Sequence, residues 1–239
     1  MSEQSPSAVA LFGAAGRMGQ EILKQTWRYP QLRLGYAFDE QHVGDKFAEV
    51  IIQAPPVSLP QDTKAVLDFS GADAVMQNAE LALIRKVPYV CGVTGLSAAT
   101  LKVLEQFADD IPVLLAPNMS PGMNVMFRLV RDIIRALPDY ERHIFEIHHT
   151  EKKDAPSGTA LKLADQLREA GGEDTPITAL RMGDVAGEHR VIFGGPGERI
   201  ELIHRADSRA VFAVGALRAT VWMLDKEPGM YAMTDVLGL

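Results

Sequence analysis

The sequence predicts an α/β fold in two parts, a doubly wound parallel sheet followed by a smaller α+β domain. Three observations predict it. A continuous apolar run, Val9-Ala-Leu-Phe12, enters a glycine loop that opens a helix. Short apolar runs then alternate with helical patterns as far as Leu115. After Pro121-Gly122, one long helix leads to a histidine-bearing strand, a second helix and three strands separated by turns. Strands alternating with helices argue for a parallel sheet, and strands gathered after helices for an α+β arrangement.

The first strand is apolar at every position, as a strand buried on both faces must be. Gly13-Ala-Ala-Gly-Arg-Met-Gly19 follows at once, and Ile22, Leu23 and Trp27 continue at helical spacing. Strand, glycine loop and helix form the setting that a dinucleotide needs, because the backbone turns tightly and the pyrophosphate lies on the helix N-terminus. Gly16 and Gly19 hold the second and third positions of the G-x-G-x-x-G spacing; Ala14 stands at the first, with Gly13 one place earlier. A glycine turn that serves only the backbone fits the same spacing. The next strand, Leu32 to Phe38, ends at Asp39, about 20 residues beyond the loop, where a carboxylate holds the ribose hydroxyls. That raises the nucleotide reading above the bare turn. Glu40 beside it is acidic and favours NADH; NADPH stays open through Arg17.

The alternation continues with strands at 65–69, 87–91 and 111–115 and helices at about 72–85 and 98–108. Asp68, Ser70, Gly92, Thr94 and Asn118 fall at carboxyl ends of strands, where such sheets bind ligands. Turn chemistry alone would place the same residue types there. Residues 41–64, with Pro55-Pro56 and Pro60, read as loop. In the second part, a helix is expected over 123–136, a strand over 141–149 and a helix over 159–169. Strands follow at 178–182, 189–193 and 198–205, giving a sheet of about four. A buried helix over 209–224 and an extended segment over 229–237 close the chain, and this tail is expected to return to the first domain.

One stretch gathers chemistry: Glu146-Ile-His-His-Thr-Glu-Lys-Lys-Asp-Ala-Pro-Ser-Gly-Thr-Ala160. Ser157-Gly158-Thr159 sits where a helix begins, so free N–H groups and the positive end of the dipole favour an anion. His148 and His149 titrate near neutrality, and Lys152 and Lys153 add fixed positive charge. Singly, each feature is more often a cap or a solvated strand end. Together they indicate a pocket for a small carboxylate or phosphate with a proton donor beside it.

The composition sets the bounds. With 239 residues, 47% hydrophobic and 23% charged, the chain is an ordinary globular protein with room for a sizeable core. A net charge of −7 argues against a general binder of nucleic acid or anionic membrane. Cys91 is the only cysteine, which excludes an intrachain disulfide or a thiolate cluster and fits a reducing cytosol. The apolar segment from Ala8 to Ala15 has no basic residues before it, and no apolar run is long enough for a membrane span. A cytoplasmic protein without a signal peptide is expected.

The motif Glu146-x-His148-His149-x-x-Lys152-x-Asp154-Ala-Pro-Ser-Gly-Thr-Ala160 resembles the signature of the 4-hydroxy-tetrahydrodipicolinate reductase family, formerly dihydrodipicolinate reductase. The resemblance extends to Gly13–Gly19, Asp68-Phe-Ser70, Gly92–Gly95, Ala116–Ser120, His204-Arg205, Phe212–Arg218 and Asp235–Leu237, nearly the whole chain. It implies a Rossmann domain over 1–119, a substrate-binding and tetramerisation domain over 120–216, and a return to the first domain over 217–239. It implies NAD(P)H-dependent reduction of (2S,4S)-4-hydroxy-2,3,4,5-tetrahydrodipicolinate with loss of water, on the diaminopimelate route to lysine, by a homotetramer.

Position by position, His148 matches the catalytic proton donor or acceptor and Lys152 its partner. His149 matches a substrate ligand, and Ser157, Gly158 and Thr159 a carboxylate clamp. Gly13, Ala14, Ala15, Gly16, Arg17 and Met18 match the pyrophosphate loop and Asp39 the ribose carboxylate. Gly92, Val93 and Thr94, with Ala116, Pro117, Asn118 and Met119, match the segments lining the nicotinamide. Val93 replaces the family's usual threonine, and Glu40 stands where a basic residue often serves NADPH. No metal is implied. A small dicarboxylate is therefore the expected ligand. An aspartate dehydrogenase-like reductase or a non-catalytic nucleotide sensor would share the glycine loop, but neither needs the full histidine motif.

Overall fold

The structure, a computed structural model, describes residues 5–239. The described residues divide into two compact units, one formed by residues 5–119 with Phe212–Gly238, the other by Ser120–Val211.

The first unit holds the parallel sheet. Its strands are β1 (Ser7–Phe12), β2 (Leu32–Phe38), β3 (Lys46–Phe47), β4 (Val50–Gln53), β5 (Thr63–Asp68), β6 (Tyr89–Cys91), β7 (Pro112–Leu115) and β12 (Gly229–Tyr231). They lie in the order β12-β7-β6-β5-β1-β2-β4-β3, parallel except for the β3–β4 pair. The chain leaves β1 toward β2 on one side and later returns to β5 on the other. This reversal opens a crevice at the carboxyl end of β1, the place where such sheets hold ligands. Helices α1 (Arg17–Gln25), α2 (Val75–Arg85) and α3 (Ala98–Phe107) supply the crossovers. Val9, Leu11, Ala65, Leu67 and Leu114 are fully buried, which is why these strands read as unbroken apolar runs.

Two glycines, Gly13 in the first loop and Gly19 in α1, are fixed by packing. A methyl group on Gly13 would stand 2.3 Å from the Phe69 carbonyl oxygen, and Gly13 has φ +72°. A methyl group on Gly19 would stand 2.2 Å from the Gly13 carbonyl oxygen. Helix α1 can therefore approach β1 only with glycine at both places. Asp68 is also spent within the fold. Wholly buried, its carboxylate accepts Ser70 N–H at 2.9 Å, Asn78 Nδ2 at 3.0 Å and Tyr89 O–H at 2.6 Å.

Two expectations are corrected here. Residues 41–64 are not all loop, because β3 and β4 extend the sheet, with Ile52 buried against Ala37 of β2. The tail is extended only over β12; it then forms a short helix, α7 (Met233–Leu237), whose Asp235 accepts the Ala232 N–H at 2.8 Å. β12 pairs with β7. Helix α6 (Ala210–Met223) buries Ala213, Ala216, Leu217, Ala219 and Met223, an apolar surface on most sides that only a core position can cover.

The second unit is a four-stranded sheet covered on one face by helices. Its strands are β8 (Glu141–His148), β9 (Ile177–Arg181), β10 (Gly187–Gly195) and β11 (Glu198–Ala206), in the order β11-β10-β8-β9. Helices α4 (Pro121–Ala136) and α5 (Gly158–Glu169) bring Met123, Phe127, Val130, Leu163 and Leu167 onto Ile144, Val191 and Phe193. Each such buried side chain stabilises the fold by about 1.5–3 kcal/mol. α4 starts two residues before its expected position. Ser120 Oγ accepts the Met123 N–H at 3.2 Å, and Pro121 takes the first turn, where its missing N–H costs nothing. Among the described residues no helix is long and apolar enough to cross a membrane.

Candidate active site

In the second unit the site follows from strand periodicity. Successive side chains of a strand point to opposite faces, so the alternation that buries Ile144 of β8 also turns Glu146 and His148 toward the helices. On β10 the same period aligns His189 with Val191 and Phe193. Glu146 and His189 are opposite one another across the β8–β10 ladder, and His148 is opposite Arg181 in the parallel β8–β9 ladder. The helix-covered face thus carries a polar end beside an apolar one.

Glu146 is the hub of that polar end. It is wholly buried, and its carboxylate takes four hydrogen bonds. Oε1 accepts Ser157 N–H and Arg181 Nη2, each at 3.0 Å. Oε2 accepts Arg181 Nη1 at 3.0 Å and contacts His148 Nδ1. Burial alone would raise the Glu146 carboxyl, but the bonds from Arg181, His148 and Ser157 outweigh it and hold it below its ordinary value. Glu146 is therefore an anion facing a guanidinium. An anionic partner fixes Nδ1 of His148 as the protonated nitrogen and leaves Nε2 for chemistry.

Burial pushes His148 below its ordinary value, and Lys152 and Arg181 add to that against the pull of Glu146. At neutral pH this favours the uncharged ring. Nε2 points toward Gly187, where a methyl group would lie 3.1 Å away. The His189 ring stands edge-on to His148 with centroids 5.1 Å apart, and burial drives it down to about 3, so it stays neutral.

The loop after β8 brings in the cation and the helix end. Lys152 Nζ lies 2.8 Å from Asp154 Oδ1 and is partly exposed. Ser157 caps α5, its Oγ accepting Ala160 N–H at 3.2 Å and lying 3.2 Å from His189 Nε2. If His189 donates, both lone pairs of that hydroxyl are filled and its proton is left for an incoming carboxylate. Gly158 is exposed and Thr159 half-buried at the first turn, where the helix dipole favours an anion. His149 is half-buried and its backbone N–H donates to Val185 O at 2.7 Å. His148, Lys152, Ser157, Gly158 and Thr159 belong to one strand–loop–helix.

In the first unit, the nucleotide-site residues expected from the sequence all follow the carboxyl ends of parallel strands. Gly13 to Gly16 follow β1 and lead into Arg17 and Met18 of α1. Asp39 follows β2, and its carboxylate accepts Ala15 N–H and Gln41 N–H, each at 3.0 Å. The acid thus pins the glycine loop while keeping lone pairs for a ribose. Gly92, Val93 and Thr94 follow β6, and Ala116 to Met119 follow β7. A methyl group on Gly92 would come 2.3 Å from the Phe69 ring. These residues suit a nicotinamide dinucleotide: a short turn, a helix N-terminus and an acid at the next strand end.

Family comparisons decide between the readings this geometry allows. Residues 7–119 match the family model described as dihydrodipicolinate reductase, N-terminus, and residues 122–237 match the one described as dihydrodipicolinate reductase, C-terminus. The chain belongs to the dihydrodipicolinate reductase family. Proteins named 4-hydroxy-tetrahydrodipicolinate reductase are similar to it. That of Zymomonas mobilis subsp. mobilis is 41% identical over the whole of both chains. That of Aquifex aeolicus is 39% identical over 97% of this chain and 98% of its own. A solved dihydrodipicolinate reductase from Paenisporosarcina sp. TG-14, bound to dipicolinate, has a TM-score of 0.80 at 22% identity, covering 96% of this chain and 98% of its own, a likeness of fold. This member of the dihydrodipicolinate reductase family is an oxidoreductase that reduces 4-hydroxy-tetrahydrodipicolinate with a nicotinamide cofactor in lysine biosynthesis through diaminopimelate.

Three members of the polar cluster escaped the sequence reading as functional positions: Glu146 as hub, Arg181 and His189. Glu146 and His148 at i and i+2 on a strand were a usable signal, since both must share one face. Arg181 and His189 join from β9 and β10, where nothing local marks them.

Proposed function

We propose that His148 and Lys152 handle the proton in this reduction, that His149 and Ser157 to Thr159 hold substrate carboxylates, and that NADH is the preferred cofactor. The contact between His148 Nδ1 and the buried Glu146 carboxylate carries this reading. It leaves Nε2 as the one ring nitrogen open to a reactant and makes a carboxylate available to stabilise an imidazolium. The 4-hydroxyl leaves as water together with a proton from the adjacent ring carbon, which completes the conjugated system. When bound, the nicotinamide cofactor would supply a hydride to a conjugated ring carbon and be oxidised to NAD(P)+, and the electron density left on the neighbouring carbon would take up a proton. His148 is neutral at rest, so its proton arrives with the substrate, whose two carboxylates offset the effect of burial on the ring. The Lys152 ammonium faces the same charge and steadies it as it develops.

The dipicolinate held by the similar Paenisporosarcina protein supports a small dicarboxylate as the ligand, and the helix N-terminus of α5 suits one of its carboxylates. Asp39 and Glu40 at the end of β2 support NADH, since a 2′-phosphate there would face two carboxylates. A homotetramer is supported by the open face of the four-stranded sheet. Phe145, Ile147, Leu180, Ile192 and Ile203 alternate there with the Arg190–Glu201 and Arg205–Glu188 ion pairs. A cytoplasmic setting agrees with the single cysteine.

Initial rates of NADH oxidation with freshly generated substrate test the roles. His148→Gln should lower kcat by about 10²–10⁴-fold, the usual worth of an acid–base group, with cofactor Kd unchanged. Lys152→Ala should raise KM and lower kcat together. Wild-type turnover in both variants would overturn the assignment.

A further inference from the structure

We propose that Arg181 is the positioning residue of the proton-handling pair: its fork fixes the carboxylate that orients His148, and its remaining donors seat the loop that carries Lys152. The proposal rests on the roles given to His148 and Lys152 above. Arginine has five N–H donors in a rigid plane, and all five are used here. Nη1 donates to Glu146 Oε2 at 3.0 Å and to Leu180 O at 2.7 Å. Nη2 donates to Glu146 Oε1 at 3.0 Å and to Asp154 O. Nε donates to Lys152 O at 3.3 Å.

The consequence lies in what those five bonds connect. Half of the four bonds that hold the Glu146 carboxylate come from this one guanidinium, so the plane of the carboxylate, and with it the His148 ring, is set from β9. The two loop carbonyls belong to Lys152 and to Asp154, the residue paired with its ammonium. One side chain thus references both members of the pair to a common frame. A lysine could supply the charge, but not a bidentate fork and three carbonyl contacts.

Charge and geometry can be separated by experiment. The charged groups around His148 are Glu146 on β8, Lys152 on the loop and Arg181 on β9, with neutral His189 on β10. Removing the guanidinium leaves the Glu146 anion to act on His148 alone, which raises the ring's proton affinity. Arg181→Met should therefore move the His148 ionisation in the pH profile of kcat/KM to higher pH. Arg181→Lys, which keeps a cation, should leave that ionisation near its wild-type position. In both variants kcat should fall by roughly 10–100-fold, the loss typical when the partner that orients a metal-bound histidine is removed, with NADH Kd unchanged. Should Arg181→Met fail to fold because Glu146 is left buried and unpaired, Arg181→Lys, which keeps that carboxylate compensated by a cation, carries the kcat test by itself. Wild-type kcat in Arg181→Lys would overturn the proposal, as would a pH profile of Arg181→Met that coincides with the wild type. If His148→Gln is inactive while Arg181→Lys is fully active, only the role of Arg181 fails. If His148→Gln is fully active, the assignment of His148 fails first.

Discussion

Position 187 has no side chain, and a methyl group there would stand 3.1 Å from His148 Nε2. That is close enough to force a small shift of the ring or to block its free nitrogen. Gly187 does not use a positive φ, so alanine suits its backbone. Gly187→Ala should lower kcat/KM for the substrate and leave NADH affinity and thermal stability near wild type. An unchanged kcat/KM would mean that reactants reach Nε2 from another side. At this scale the contiguous part of the site was legible. His148, His149, Lys152 and Ser157 lie within ten residues, and their chemistry is visible without any fold. Arg181 and His189 were not legible, because they reach Glu146 and Ser157 across sequence separations of 35 and 32 residues, and strand pairing alone brings them there.

The elements around the site carry a second set of consequences. Ser157 both caps α5 and, on our proposal, faces a substrate carboxylate. Ser157→Ala should cost about 1 kcal/mol of stability from the lost cap and raise KM for substrate. A stability loss with KM unchanged would confine Ser157 to capping. Acid should loosen the second unit. Burial lowers His148, His189 and His204 below their ordinary value, so the unfolded chain binds protons that the folded one refuses. Stability is then complete above the unfolded value of about 6.5 and declines as pH falls toward the folded values, that of His189 being about 3. Glu146, lowered in the fold, adds its own loss in more acid solution. Thermal unfolding between pH 7.5 and 4.5 should show a falling midpoint, less steep in His189→Phe; parallel curves would contradict this. The helix–strand order was readable because buried parallel strands are apolar throughout. The strands within 41–64 were not, since β3 and β4 are short and flanked by prolines and exposed polar residues.

For the whole molecule, the glycine loop gave the cofactor class but not its packing logic. Gly13 and Gly19 are required by helix–strand contact as much as by any pyrophosphate, which is why loop spacing alone could not decide. The acid pair at the end of β2 predicts a higher kcat/KM with NADH than with NADPH, and a clear preference for NADPH would refute that electrostatic argument. Light scattering should give four times the chain mass of 26.1 kDa, and Ile203→Asp on the open sheet face should reduce it. A monomeric wild type would remove the role given to that face. The central claim is that His148 is neutral at rest and gains its proton when a dicarboxylate binds. Nitrogen NMR of the imidazoles, with the His148 signal identified by its loss in His148→Gln, tests this most directly. At pH 7 the free enzyme should show Nε2 of His148 unprotonated, and saturating NADH with dipicolinate should protonate it. An Nε2 already protonated at rest, or still bare in the complex, would contradict the account.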